Sequence, residues 1–334
     1  MKTPETIESA IQQFLQQKLQ APPFSLTRLT HGASGQHWCW KIEPEDINQP
    51  SFIVRTQNPK NPNFDIPHQY TLLSLIDKKM PGLAPKPHKI YFMGGKTTIM
   101  IEEFMQGNYW RGEEYLENDR LHGIIRLIKK ISDLGIHPED FPYRKFQWNF
   151  RVDREKWIER LSSLLPEVQA KLQGPLMWTK DFLIRSERVF QRAEVLLEQS
   201  HPQIHHTGTY LENIKITPEG PRIHSWTNVL FGNPAFMLAR FCSQNPSRAK
   251  LVNRIDEIQD IYFEGTKQSP EFKELLLWTI LWEEFANISW IIWTQSEKRK
   301  ENPTFVAEKN LEQVLIDLNE RIQYIESFRE FFLK

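Results

Sequence analysis

Cysteine is nearly absent: Cys39 and Cys242 are the only two in 334 residues. A pair so far apart in sequence matches no zinc or disulfide framework, so a reducing, cytoplasmic setting is expected. Neither sign of charge is in excess. Lys+Arg and Asp+Glu stand at 42 each, which gives no global pull toward nucleic acid or an anionic membrane. No helix or finger motif for reading bases is present. Long clean apolar runs are missing too. The most apolar window, Leu275 to Trp293, carries Glu283, Glu284 and Asn287, which are costly in lipid, so a buried helix is expected there. The opening MKTPETIESAIQQFLQQKLQ lacks the apolar centre of a signal peptide. There is no internal repeat and no low-complexity tract.

What is present changes character along the chain. The same opening stretch, residues 1–20, places Ile7, Ile11, Phe14 and Leu15 at helical spacing with a Gln-rich back, which predicts an amphipathic helix. Ser25 to His31, Gln36 to Glu43 and Ser51 to Thr56 then read as short strands separated by Gly or Pro/Asn turns. Asp65 to Lys79 reads as a helix capped by Asp65, with Tyr70, Leu73 and Ile76 on one face. Lys89 to Met93 and Thr97 to Glu103 predict a hairpin around Gly94-Gly95. From residue 113 the periodicity turns helical, over 115–134, 153–172, 180–199, 249–264, 270–296 and 304–332. Residues 204–226 interrupt it with strand and turn chemistry. The order is a small sheet with one helix, then a large helical part containing one β-hairpin loop.

Three blocks in register carry a family resemblance. They are His206-Thr207-Gly208-Thr209-Tyr210-Leu211-Glu212-Asn213, then Gly220-Pro221-Arg222-Ile223-His224-Ser225-Trp226, then Gly232-Asn233-Pro234-Ala235-Phe236-Met237-Leu238-Ala239. The chain resembles the aminoglycoside phosphotransferase and choline kinase group, from about Leu26 to Phe241. That group shows H-G-D-L-H-x-x-N, then G-P-R-L-I-D-W, then G-D-P-A-Y-D-L-A. The resemblance implies an α+β, two-lobed, protein kinase-like fold. Its N-terminal lobe would span 1–103, with an N-terminal helix, a five-strand sheet and one further helix. A helical lobe would span 104–334, with the catalytic loop at 205–226.

The resemblance also implies roles, and the acidic ones are eroded. Gly208 stands where the family has its catalytic Asp, and Ser225 where it has a metal-binding Asp. Asn213 keeps the other metal-ligand position. Asn233 and Met237 replace two further acidic positions that are mainly structural. His31-Gly32-Ala33-Ser34-Gly35 resembles the glycine-rich loop that offers backbone N–H groups to phosphates; outside this frame Gly32 and Gly35 read as a plain turn. Arg55 takes the place of the phosphate-pairing Lys. Gln69 takes that of its helix Glu and is expected to hydrogen-bond Arg55. Glu102, Glu103, Phe104 and Met105 fall in the connector whose backbone receives adenine. ATP or another nucleotide is the implied cofactor. Magnesium is doubtful, with Asn213 its one remaining ligand.

Glycine accepts no proton, and serine is a poor ligand for a hard divalent cation. A positioned general base contributes about 10²–10⁴-fold. The expectation is therefore a pseudokinase-like protein, inactive or impaired, binding a small-molecule ligand or a protein partner, with neither nucleic acid nor membrane involved. A rival keeps activity by moving catalysis to Glu212, Asn213 or His206, although Glu212 also reads as a solvated loop residue. A third reading takes Trp278, Trp282, Trp290 and Trp293, with Glu283 and Glu284, as a box for a cationic metabolite. Their plainer reading is helix packing. His205, His206 and His224 match no standard zinc spacing.

Overall fold

The computed structural model describes residues 3–18, 20–29, 37–57, 66–93, 97–140, 150–198, 202–227, 229–245, 247–265, 270–301 and 308–328. Residues 31–35, Asp65 and the Gly94-Gly95 turn lie outside them. The chain divides into two compact units. One comprises Met1–Arg111 with Leu211–Val229; the other comprises Gly112–Tyr210 with Leu230–Lys334.

The smaller unit begins with α1 (Pro4–Gln17) and continues through β1 (Phe24–Leu29), β2 (His37–Pro44), β3 (Phe52–Gln57), α2 (Ile66–Lys79), β4 (Pro87–Phe92), β5 (Thr98–Glu103) and β6 (Asn108–Tyr109). Thr3 caps α1 by accepting the Thr6 N–H at 3.3 Å, and Pro4 sits where no N–H is needed. Strands pair antiparallel in the order β1-β2-β3-β5-β4, the predicted five-strand sheet. Alternation along the strands separates two faces. Trp40, Ile42, Val54 and Ile99 share one face and pack with Ile7, Ile11 and Leu15 of α1. Trp40 also donates its indole N–H to Glu8 at 2.7 Å. The opposite face carries Cys39, Lys41, Arg55, Met100 and Glu102, as the register requires. The unit is completed by β8 (Ile214–Thr217) and β9 (Gly220–Ile223), a hairpin that pairs with β6.

The larger unit holds α3 (Asn118–Ser132), α4 (Phe150–Ser162), α5 (Pro166–Lys171), α6 (Gln173–Arg185), α7 (Glu187–Glu198) and β7 (Gln203–His206). After the hairpin follow β10 (Val229–Gly232), which pairs with β7, then α8 (Ala235–Gln244), α9 (Arg248–Val252), α10 (Ile255–Tyr262), α11 (Pro270–Glu301) and α12 (Glu308–Ser327). Three predicted helices are broken. The one expected over 153–172 stops after Ser162, because Leu165 precedes a proline and is extended at ψ 137°. The one over 180–199 turns at Ser186. The one over 249–264 breaks at Asn253-Arg254, where the Arg254 guanidinium turns back to Leu116 O and Asn118 Oδ1.

By length and composition α11 is apolar enough to cross a membrane, yet most of it is buried inside this unit. Trp278 and Trp282 are core side chains, Trp282 lying edge-on to Phe190 at 4.9 Å. Trp290 is half exposed.

Candidate functional site

The loop after β7 is held by the larger unit's own side chains. His206 is buried, and its Nδ1 accepts the Gly208 N–H at 3.0 Å. The His206 N–H reaches the Met237 sulfur at 3.4 Å, and the Thr209 hydroxyl donates to the Met237 carbonyl at 3.0 Å. Met237 thus occupies an expected acidic position with a weak acceptor. Asn233 keeps a structural role, its Oδ1 accepting the Ala235 N–H at 2.9 Å as α8 begins. Arg240 bridges the Thr207 carbonyl at 2.7 Å and Glu283 at 3.1 Å. Gly208 is buried without a positive φ, so the backbone does not demand glycine there. Burial holds the His205 imidazole neutral, its pKa lowered to about 3, with Arg240 adding to the effect. The carboxylates proposed for a cation box already have cationic partners: Glu283 pairs with Arg240, and Glu284 with Arg321 at 2.8 Å.

In the smaller unit, Arg55 does not meet Gln69. It donates to Glu102 Oε1 from Nε at 3.2 Å and again from Nη2. The β3–β5 register explains the correction: Arg55 stands opposite Met100, so Glu102 is its diagonal neighbour on the same face. Among the described residues, the buried Gln69 Oε1 and Glu102 Oε2 have no hydrogen-bond partner. Glu102 and Glu103 form the end of β5 rather than a free connector. Glu103 receives both terminal nitrogens of Arg222 at 2.8 Å, and Arg222 also donates to Ala84 O at 2.8 Å. Burial raises the Glu103 pKa, but Arg222 and the Lys86 N–H together hold it below the usual carboxylate value. Asn213 ends a short turn before β8, and its carbonyl accepts the His224 N–H at 2.9 Å. Glu212 is exposed.

Ser225 follows β9 with φ 65°, a left-handed conformation unusual outside glycine and the Asn/Asp group. Its hydroxyl is 2.8 Å from His224 Nδ1, and His224 Nε2 is 3.2 Å from the Tyr109 hydroxyl. Among the described residues no group of three or more His, Cys, Asp or Glu is set to hold a metal ion.

The connector holds a residue that sequence reasoning missed. Lys215 of β8 is 9 % exposed and donates to the Met105 carbonyl at 2.8 Å. Its ammonium lies 4.9 Å from the Phe104 ring centre and 5.2 Å from that of Tyr109, while Lys41 stands 4.4 Å from the same Phe104 ring. The sequence signal was slight. Ile214-Lys215-Ile216 alternates, and a charged residue in an alternating strand normally faces solvent.

No family model and no curated protein matches the chain. Solved structures do. A choline kinase from Cryptosporidium parvum Iowa II aligns at TM-score 0.64 and 10 % identity, over 99 % of this chain and 98 % of that one. A choline/ethanolamine kinase family protein from Mesorhizobium loti aligns at 0.61 and 13 %, over 95 % and 94 %. The ADP-bound aminoglycoside phosphotransferase APH(2'')-Ib aligns at 0.60 and 11 %, over 94 % and 97 %. Agreement along nearly the whole length at such low identity establishes architecture: this chain has the kinase-like fold that choline kinases and aminoglycoside phosphotransferases share.

Proposed function

We propose that the chain is a kinase-fold protein without effective phosphoryl-transfer chemistry, serving as a ligand-binding or regulatory module. The observation that carries the reading is the pair of uncharged positions at 208 and 225 within three sequence blocks that keep the family's spacing. Gly208 has no side chain to orient an acceptor hydroxyl. The Ser225 hydroxyl is engaged by His224 and brings no charge to a metal. Phosphoryl transfer rests on positioning and charge neutralisation, so losing both groups removes most of what such a fold supplies.

Similar structures were solved with ADP, or with AMP-PNP and Ca2+. The residues here fit a nucleotide–metal pair poorly. Arg55 is committed to Glu102, and the Met105 carbonyl is already taken. The rival reading, an active kinase using His206, Glu212 or Asn213, has less support. His206 is buried with its Nδ1 engaged, and Glu212 is solvated.

The test is ATP and GTP turnover with magnesium over aminoglycosides, choline and sugars. No turnover above background is expected. Magnesium-dependent turnover at ordinary enzyme rates, abolished by Asn213→Ala, would overturn the proposal.

A further inference from the structure

Lys215 is placed by backbone rather than by chance. Register pairs it with Tyr109 across β6 and β8. Just before β6, Gly107 adopts φ +142°, and a Cβ added there would meet Ile216 O at 2.4 Å. The connector therefore lies directly against β8, and only glycine permits the approach. A side chain leaving β8 at position 215 meets the connector at once, and its ammonium bonds the Met105 carbonyl.

The surroundings make this a committed contact. Among the described residues Lys215 has no carboxylate partner, while its neighbour Lys41 is paired with Glu43. The Phe104 and Tyr109 rings flank the Lys215 ammonium, at distances where ring faces attract a cation. Among the described residues the Met105 carbonyl is the oxygen acceptor that this cation binds. Burial, together with the like charge of Lys41, lowers the Lys215 pKa. That agrees with an ammonium drawn out of water toward a single strong acceptor.

We propose that Lys215 is a specificity-determining residue that excludes adenine from the connector. The inference deepens the reading above and rests on it, since it takes the connector of this fold as the place for a nucleotide base. An amino-bearing ring seeking the Met105 carbonyl finds one of its two lone pairs taken by the ammonium. Its N–H groups would also face an ammonium, donor against donor. A ligand that suits this slot instead offers an acceptor oxygen toward Lys215.

The experiment titrates ADP and IDP into the wild type, Lys215→Met and Lys215→Leu, by calorimetry, with circular dichroism as a check on folding. The two nucleotides differ at C6, amino against oxo, and with that change N1 turns from acceptor to N–H donor. The wild type is expected to bind ADP more weakly than IDP. Lys215→Met keeps the length of the stem and is expected to bind ADP about ten- to a hundred-fold more tightly than the wild type, the range that follows from relieving one unmatched polar contact. Equal ADP affinity in wild type and variant overturns the inference, as does an absence of ADP binding in both. If both variants fail to fold, the wild type decides: ADP binding as tight as IDP binding overturns it, and a preference for IDP supports it. The outcomes separate from those of the functional reading. Wild-type ADP binding as tight as IDP binding, without turnover, sinks only the role of Lys215. Turnover with GTP by a protein that refuses ADP sinks only the reading of lost chemistry.

Discussion

Arg55 and Glu102 form a buried ion pair whose members are 13 % and 2 % exposed. Removing one member leaves a charge without its counter-ion, which typically costs about 3–5 kcal/mol, whereas an apolar replacement of both is often neutral. Arg55→Met is therefore expected to lower unfolding stability in urea by about that amount, and Arg55→Met with Glu102→Leu to recover most of the loss. If the double variant is no more stable than the single, the pair is not what holds these strands. His205 offers a second test. Its folded-state pKa is about 3 against an ordinary 6.5, so the unfolded chain takes up the proton first as pH falls. The stability it contributes is whole above about pH 6.5 and declines toward pH 3, by about 1.4 kcal/mol per pH unit from this group alone. Subtracting the profile of His205→Phe from that of the wild type isolates the slope. Parallel profiles would mean that His205 is protonated in the fold. Gly208, Asn213 and Ser225 were legible as candidate positions from their spacing. The partners were not. That Arg55 chooses Glu102 over Gln69 follows from strand register, which becomes visible only once β3 and β5 are paired.

Among the elements, α1 shows how periodicity alone can locate a core contact. Its stripe of Ile7, Ile11, Phe14 and Leu15 was readable in the sequence; Ile7, Ile11 and Leu15 are buried, and Phe14 is partly so. Ile11 is fully buried against the sheet, so Ile11→Ala is expected to cost about 2–5 kcal/mol through lost burial and the cavity left behind. Thermal melts check this; a loss under about 1 kcal/mol would mean the helix is dispensable to the sheet. The helices of the larger unit were less legible in their ends than in their existence. Hydrophobic spacing runs straight through Ser163–Leu165, Ser186 and Asn253-Arg254. The breaks come from Pro166 and from tertiary hydrogen bonds such as that of Arg254 to Leu116 O, which act on the backbone without interrupting the apolar pattern. β8 shows the opposite: its alternation is visible in the sequence, but its polar residues Lys215 and Thr217 are covered.

At the scale of the whole molecule, the uncharged positions 208 and 225 predict indifference to divalent cations. Melting curves with and without millimolar magnesium should superimpose, because a ligand that binds only the folded state raises the midpoint. A rise with magnesium alone would reveal a metal site built from other residues. The smaller unit is also discontinuous: its sheet ends near residue 103, and the hairpin that completes it arrives only with residues 211–229. Arg222 is the stitch, joining Glu103 and Ala84 O from that late segment. A ribosome emits the chain from its N-terminus, and domains generally fold as units during synthesis. All five strands of the main sheet are out by residue 103, yet the Glu103 carboxylate goes unanswered while all of 112–210 is translated. Truncated nascent chains should resist protease over the first hundred residues only after position 229 has cleared the exit tunnel, which makes the clasp at Arg222 a timer for maturation.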